Sequence, residues 1–215
     1  MFDLDDTIVH GVTGLELAKL LEEMCGNHDK WKEFWEKQKL LSDCNVTYDE
    51  AITSLSNCFA RAVRGVNIRT FNQALAELSK GIRIKDDFDG FYSWLVQNGF
   101  HVFVLTASPQ EVFDAIRKYR FEGTYGLILE KNSVYTGGVT LPMTVQNKSK
   151  IVSESILKGP TFAFGVSDSV HDMEAFKSLE LRFLLGDCSK LSNSWVSVKD
   201  FQEIKEILEH TLGAS

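Results

Sequence analysis

Residues 1–10 read MFDLDDTIVH. Three aspartates, Asp3, Asp5 and Asp6, stand among apolar residues that favour burial. Asp3 and Asp5 are two apart, so an extended chain sends both out on the same side. The stretch reads as a short buried strand that carries acids at its carboxyl end. In open parallel sheets that edge is where ligands bind. Asp6 reads as a solvated or loop-bonding acid.

The second half of the chain supplies the rest of such a sheet. FHVFVLTAS (100–108) is a short apolar run of strand type. SPQEVFDAIRKYRF (108–121) reads as a helix, with Ser108 as cap, Pro109 at the first helical position and Glu111 closing a capping box. YGLILEKNSVYTGGV (125–139) reads as two strands around a turn. KSKIVSESILKG (148–159) is a helix, TFAFGVS (161–167) a strand, SVHDMEAFKSL (169–179) a helix and LRFLLG (181–186) a strand. KDFQEIKEILEHTL (199–212) closes the chain as a helix. Alternating strands and helices imply an α/β fold, a Rossmann-like parallel sheet with right-handed crossovers.

Between the first strand and this region, residues 13–80 read as helix throughout. In TGLELAKLLEEMCG, Leu17, Leu20, Leu21 and Met24 form one stripe and Gly26 marks the stop. Thr13 with Glu16, Thr47 with Glu50 and Thr70 with Gln73 each have capping-box spacing. Residues 1–12 and 81–215 are therefore expected to form the core, and 13–80 an all-helical insert hinged near Gly11 or Gly14 and near Gly81. Trp31, Phe34 and Trp35 fall at helical spacing, which suits core packing or an apolar wall facing a substrate.

Composition narrows the partners. The chain has 30 acidic and 23 basic residues, a formal charge of −7. That balance argues against a general nucleic-acid binder, which carries a basic face. An anionic substrate would be repelled at long range and would need local positive charge or a metal. Cys25, Cys44, Cys58 and Cys188 have no paired short spacing and read as thiols in a reducing compartment. No apolar run approaches the ~18 residues of a membrane helix, and charge occupies the place of a signal peptide. The expectation is a cytoplasmic protein with no membrane or nucleic-acid partner.

The polar residues at the strand ends belong together. They are Asp3 and Asp5; Thr106; and Ser167, Asp168 and Ser169, with Asp172 shortly after. NKSK, containing Lys148 and Lys150, opens the helix at 148. Several carboxylates at one edge need a cation or protons between them. Mg2+ suits the requirement, since it is held by one or two carboxylates plus a substrate phosphate. A helix start after Ser108 would offer N–H groups to an anion. A metal and an anion position side by side are what phosphoryl transfer requires.

These motifs resemble the haloacid dehalogenase superfamily. DLDDT (Asp3, Asp5, Thr7) is similar to its first motif, Thr106 to the second, Lys148 to the third and SDSVHD (Asp168, Asp172) to the fourth. The helical insert, TASPQEV and NKSKIV are similar to the phosphoserine-phosphatase-like branch. The resemblance implies that Asp3 attacks phosphorus and forms an aspartyl phosphate, and that Asp5 protonates the leaving alcohol and then activates water. It implies that Asp3, the Asp5 carbonyl and Asp168 hold Mg2+, with Asp172 supporting the metal shell. Thr106, Ala107 and Lys148 would bind the phosphoryl group, with Lys150 a nearby competitor for the lysine role.

Three departures bear on that reading. Ser167 stands where the family usually has glycine. Phosphoserine phosphatases carry a glutamate and an arginine that grip the serine, and counting places Val12 and a position near Leu55 there. The implied substrate is thus a small phosphorylated metabolite other than phosphoserine. A phosphotransferase on the same scaffold and a non-catalytic module binding a phosphorylated ligand or a partner are the alternatives. Finally, only Met1 and Phe2 precede Asp3. Strands usually run ~5–6 residues, so an upstream apolar extension, or another segment filling the gap, is expected.

Overall fold

The structure is a computed structural model that describes residues 1–42, 45–156, 159, 162–186 and 195–213. Cys44 and Cys188 lie outside the described residues; Cys25 and Cys58 are free thiols.

Seven strands form one sheet: β1 (Phe2–Asp3), β2 (Phe103–Pro109), β3 (Gly123–Lys131), β4 (Tyr135–Leu141), β5 (Phe164–Ser167), β6 (Leu181–Leu185) and β7 (Val196–Val198). Their spatial order is β4-β3-β2-β1-β5-β6-β7. Every neighbouring pair is parallel except the β3–β4 hairpin. β1 is central and only two residues long. It is bonded on both sides, with Phe2 opposite Val104 and Val166, and Asp3 opposite Leu105. The carbonyl of Met1 accepts from the Val166 N–H at 3.0 Å.

The core explains why so short a strand stays in place. Phe2 is 1% exposed. Its ring meets Phe88 and Phe91 of α5 (Phe88–Gln97), Phe164 of β5 and Phe201 of α7 (Phe201–Gly213), all with centroids within 6.4 Å. Edge-to-face aromatic pairs each add about 0.5–1.5 kcal/mol beyond their buried area. One residue thus ties β1 to two helices on one face of the sheet. Neither α5 nor β7 was expected from the sequence.

The insert contains α1 (Thr13–Cys25), α2 (His28–Gln38), α3 (Tyr48–Ala62) and α4 (Ile68–Gly81), with a 3-10 turn after α2. Leu17, Ala18 and Leu21 bury the inner stripe of α1, and Gly26 closes it with φ 62°. Met24 of the expected stripe is exposed instead. Trp31 and Phe34 are buried, with rings 5.6 Å apart and nearly perpendicular. Trp35 is partly buried and donates its ring N–H to Glu22 at 2.8 Å. The insert also touches the sheet: the Gly65 N–H and Val66 carbonyl bond to Tyr135 of β4 at 2.9 and 3.0 Å.

Helix starts show where local reading fails. The Thr47–Glu50 capping box is present. The other boxes are corrected. At α1 the N-cap is Val12 and no side chain caps it; Glu16 pairs with Lys19 instead. At α4 the cap is Asn67, which accepts from the Thr70 N–H at 2.8 Å. After β2, the chain forms a 3-10 helix at Gln110–Ile116 rather than an α-helix, again with no side-chain cap. SVHDMEAFKSL is likewise reduced to a 3-10 turn, Val170–Met173. At Thr13 and Ser108 the reason is tertiary: their polar groups bond to Asp5. α6 (Val145–Ile156) begins three residues earlier than read.

Candidate active site

Asp3 ends β1 and is 7% exposed. Its Oδ1 accepts from Lys148 Nζ at 2.8 Å. The same ammonium lies 2.7 Å from Asp172 Oδ1, and Asp172 Oδ2 accepts from the Ser167 hydroxyl at 2.8 Å. Lys148 sits in the first turn of α6 and is 2% exposed, whereas Lys150 faces solvent and pairs loosely with Glu154. Of the two lysines, Lys148 is the one that meets the acids.

Burial sets the electrostatics. Desolvation raises the Asp3 carboxyl well above the usual carboxylate range; Lys148 opposes this, and Asp172 and Asp5 reinforce it. Desolvation alone would lower the Lys148 ammonium, but Asp172 and Asp3 outweigh it and hold it well above its ordinary value. The two carboxylates therefore favour the charged form of Lys148.

Asp5 sits in a second network. Its Oδ1 accepts from the Thr13 N–H and hydroxyl, each at 2.7 Å. Its Oδ2 accepts from the Thr106 hydroxyl at 2.6 Å and the Ser108 hydroxyl at 2.8 Å. Ser108 in turn accepts from the Gly14 N–H at 2.8 Å. The contact is tight: a Cβ on Gly14 would come 2.7 Å from Ser108 Oγ. Thr106 is fully buried and its hydroxyl is directed at Asp5. Ala107 and Ser108 line the cavity beside it.

Asp168 follows β5. Its Oδ1 accepts from the Thr7 hydroxyl at 2.9 Å, and its own N–H donates to Thr7 Oγ1 at 2.9 Å. Burial raises its carboxyl above the usual value, and the Thr7 bond opposes the rise. Asp172 bonds Lys148 and Ser167, which sets it against the Lys148 side of the site. Ser167 adopts an extended strand backbone, so serine is accommodated there without strain. Asp6 has φ 54° and its carboxylate accepts from the Gly11 N–H at 2.7 Å, a loop-bonding acid as read.

Asp3, Asp5, Asp168, Asp172, Lys148 and Ala107 all line one cavity of about 240 Å³ between the sheet's carboxyl edge and the insert. Two contributors were not found in the sequence. Ser108 was read as a helix cap, and its place between Asp5 and Gly14 depends on contacts 94 and 103 residues away. Tyr48, at the start of α3, lines the cavity and stacks on His171, centroids 4.3 Å apart and 11° from parallel. Burial raises its hydroxyl far above the usual tyrosine value. Its neighbour Asp49 accepts from the Val145 N–H at 2.7 Å. The first turn of α3 therefore docks on the core at two points, His171 and the start of α6.

Among the described residues no three His, Cys, Asp or Glu side chains form a metal cluster. Asp3 and Asp168 nevertheless supply two hard carboxylate donors to one cavity. That donor set fits Mg2+, which takes one or two carboxylates and completes its shell with water and phosphate oxygens.

The class these features define is a Rossmann-like α/β protein with its acids gathered at the carboxyl ends of parallel strands. The chain belongs to the haloacid dehalogenase-like hydrolase family, whose model matches residues 1–177. Its fold is similar to that of a probable phosphoserine phosphatase from Vibrio cholerae, with a TM-score of 0.74 and 13% identity over 99% of this chain. This chain spans 65% of that longer protein. It is also similar to a phosphoserine phosphatase solved as a phospho-aspartyl intermediate analogue (TM-score 0.69, 18% identity, 96% of both chains). A protein of unknown function from Bordetella pertussis Tohama I gives a TM-score of 0.75 at 15% identity, over 93% of this chain and 96% of that one. A search of the curated proteins found no match. No helix of the described residues is long and apolar enough to cross a membrane.

Proposed function

We propose that the protein is a phosphatase that hydrolyses a small organic phosphomonoester through an aspartyl phosphate on Asp3. The observation that carries this reading is the convergence of Asp3 with Lys148 at 2.8 Å, beside Asp5 and Asp168, in one cavity. Residues 13–80 act as the cap that closes over the ester and excludes water.

An oxygen of Asp3 attacks phosphorus, and the bond from phosphorus to the ester oxygen breaks. The Asp5 carboxyl gives its proton to the departing alkoxide. Asp5 then takes a proton from water as the water oxygen attacks phosphorus and the Asp3–phosphorus bond breaks. The sum is ester plus water to alcohol plus phosphate, and Asp5 ends as it began. Lys148 offsets charge on the phosphoryl oxygens, with Thr106 and Ala107 at the same strand end. Thr13, Thr106 and Ser108 orient the Asp5 carboxylate. Asp3, Asp168 and the Asp5 carbonyl would hold Mg2+, which supplies positive charge to the phosphoryl group when bound. An acid at Asp5 favours ester hydrolysis over dehalogenation, because a halide needs no proton on leaving.

A panel of phosphorylated metabolites with Mg2+, read by released inorganic phosphate, tests the reading. Release from at least one ester supports it. Transfer of phosphate to an added alcohol without free phosphate would favour a phosphotransferase. Binding of phosphorylated compounds with no turnover would favour a non-catalytic module.

A further inference from the structure

The phosphatase reading leaves the alcohol half of the substrate open, and the wall of the cavity bears on it. The acids and Lys148 lie at the sheet edge. Above them stand Val12, just before α1, and from the insert Leu15 of α1, Phe34 of α2, and Ile52, Leu55 and Phe59 of α3. Ile52, Leu55 and Phe59 follow helical spacing, so one stripe of α3 faces the site. Phe34, Ile52 and Phe59 are each no more than 4% exposed and Leu55 is partly buried, so the wall is continuous with the hydrophobic core.

The polar groups of the cavity leave little for a charged substrate tail. Among the described lining residues the cation is Lys148, and it is already paired with Asp3 at 2.8 Å and Asp172 at 2.7 Å. Both oxygens of Asp5 are engaged by Thr13, Thr106 and Ser108. The other acids, Asp6, Asp168 and Asp172, lie with Ser169 at the sheet edge, and on the insert's side Gln38, Tyr48 and Ser56 add uncharged polar groups only. An amino or carboxylate group placed against the α3 stripe would lose its water without gaining a partner of opposite charge, a costly transfer. An apolar group there gains by leaving water. Size sets the other limit. An apolar cavity of roughly 150 Å³ holds a benzene-sized molecule. A cavity of about 240 Å³, partly open to solvent and shared with a phosphoryl group, holds a group of about one ring within its walls.

We infer that the substrate is the phosphomonoester of an uncharged, apolar alcohol about the size of one aromatic ring, seated on the Ile52–Leu55–Phe59 stripe. This rests on the phosphatase reading above. The test measures kcat/KM with Mg2+ for benzyl phosphate, O-phosphoserine and acetyl phosphate. Benzyl phosphate should exceed phosphoserine by about 100-fold, on the scale at which apolar pockets discriminate. Leu55→Arg, or the milder Leu55→Gln if the first does not fold, should lower the benzyl-to-phosphoserine ratio by about 10-fold or more. Turnover of phosphoserine or acetyl phosphate with benzyl phosphate no better than phosphoserine would overturn the inference and leave the phosphatase reading standing. No release from any of the three by folded protein would overturn both.

Discussion

Asp3 Oδ1 and Lys148 Nζ, 145 residues apart in sequence, meet at 2.8 Å inside the protein. Each is nearly closed to solvent, and Asp172 completes the group from the other side. A buried cation between two carboxylates keeps both acids tolerable in a low-dielectric site. Removing one partner of a buried ion pair is strongly destabilising, by roughly 3–5 kcal/mol. Lys148→Met should therefore lower stability by about that much at neutral pH, measured by urea unfolding. The sign with pH follows from Asp3. Its folded carboxyl already lies above the usual range, so protonation relieves the variant. The deficit should shrink as pH falls toward the carboxylate range. A pH-independent deficit would mean that lost packing, not stranded charge, is responsible.

Asp5 and its donors predict a different split. Asp5→Asn should cost roughly 100- to 10,000-fold in kcat, the usual worth of acid–base help. Ser108→Ala removes one bond to Asp5 and leaves the Gly14 N–H without its acceptor. It should cost about 1–3 kcal/mol of stability. Its kinetic effect should fall on kcat more than on KM, because Ser108 orients the acid. An effect confined to KM would instead place Ser108 in substrate binding.

Tyr48 joins the insert to the core through its stack on His171. Aromatic pairs are worth about 0.5–1.5 kcal/mol. Tyr48→Leu should therefore raise KM roughly 2- to 12-fold, through weaker closure of the cavity. Steady-state kinetics with the best ester of the panel checks this. An unchanged KM would remove the stack from the closing contact.

Metal dependence is expected to follow the two cavity carboxylates. Chelation by EDTA should silence turnover and Mg2+ restore it, with Ca2+ a poor substitute because of its larger, looser shell. Asp168→Ala should raise the Mg2+ concentration for half-maximal activity more than Asp172→Ala does, since Asp172 bonds Lys148 and Ser167. The reverse order would transfer the metal role to Asp172.

Much of the fold was legible because it is written in local patterns. The apolar strands around Val104 and Val166, the hairpin at 125–139 and the capping box at Thr47 declare themselves within a few residues. The acids at Asp3, Asp5, Asp168 and Asp172, with Lys148, could be placed because strand ends bring them to one edge. What was missed depends on distant partners. Thr13 and Ser108 have the composition of helix caps, yet Asp5 takes their donors, and nothing within ten residues of Ser108 reports this. The packing of β1 is also non-local: the four phenylalanine rings around Phe2 come from three remote segments. Tyr48 carries no local signal, because His171 reaches it only through the tertiary fold. The choice between Lys148 and Lys150 likewise needed the burial of one and the exposure of the other.

The most direct test of Asp3 as nucleophile is phosphate release by Asp3→Asn beside the unaltered protein, both with saturating Mg2+ and the best ester, and both checked for folding by circular dichroism. An amide cannot form the phosphoenzyme, so release should fall by at least about 10,000-fold, the scale seen when a catalytic nucleophile is lost. Comparable release from folded Asp3→Asn would contradict the mechanism at its first step.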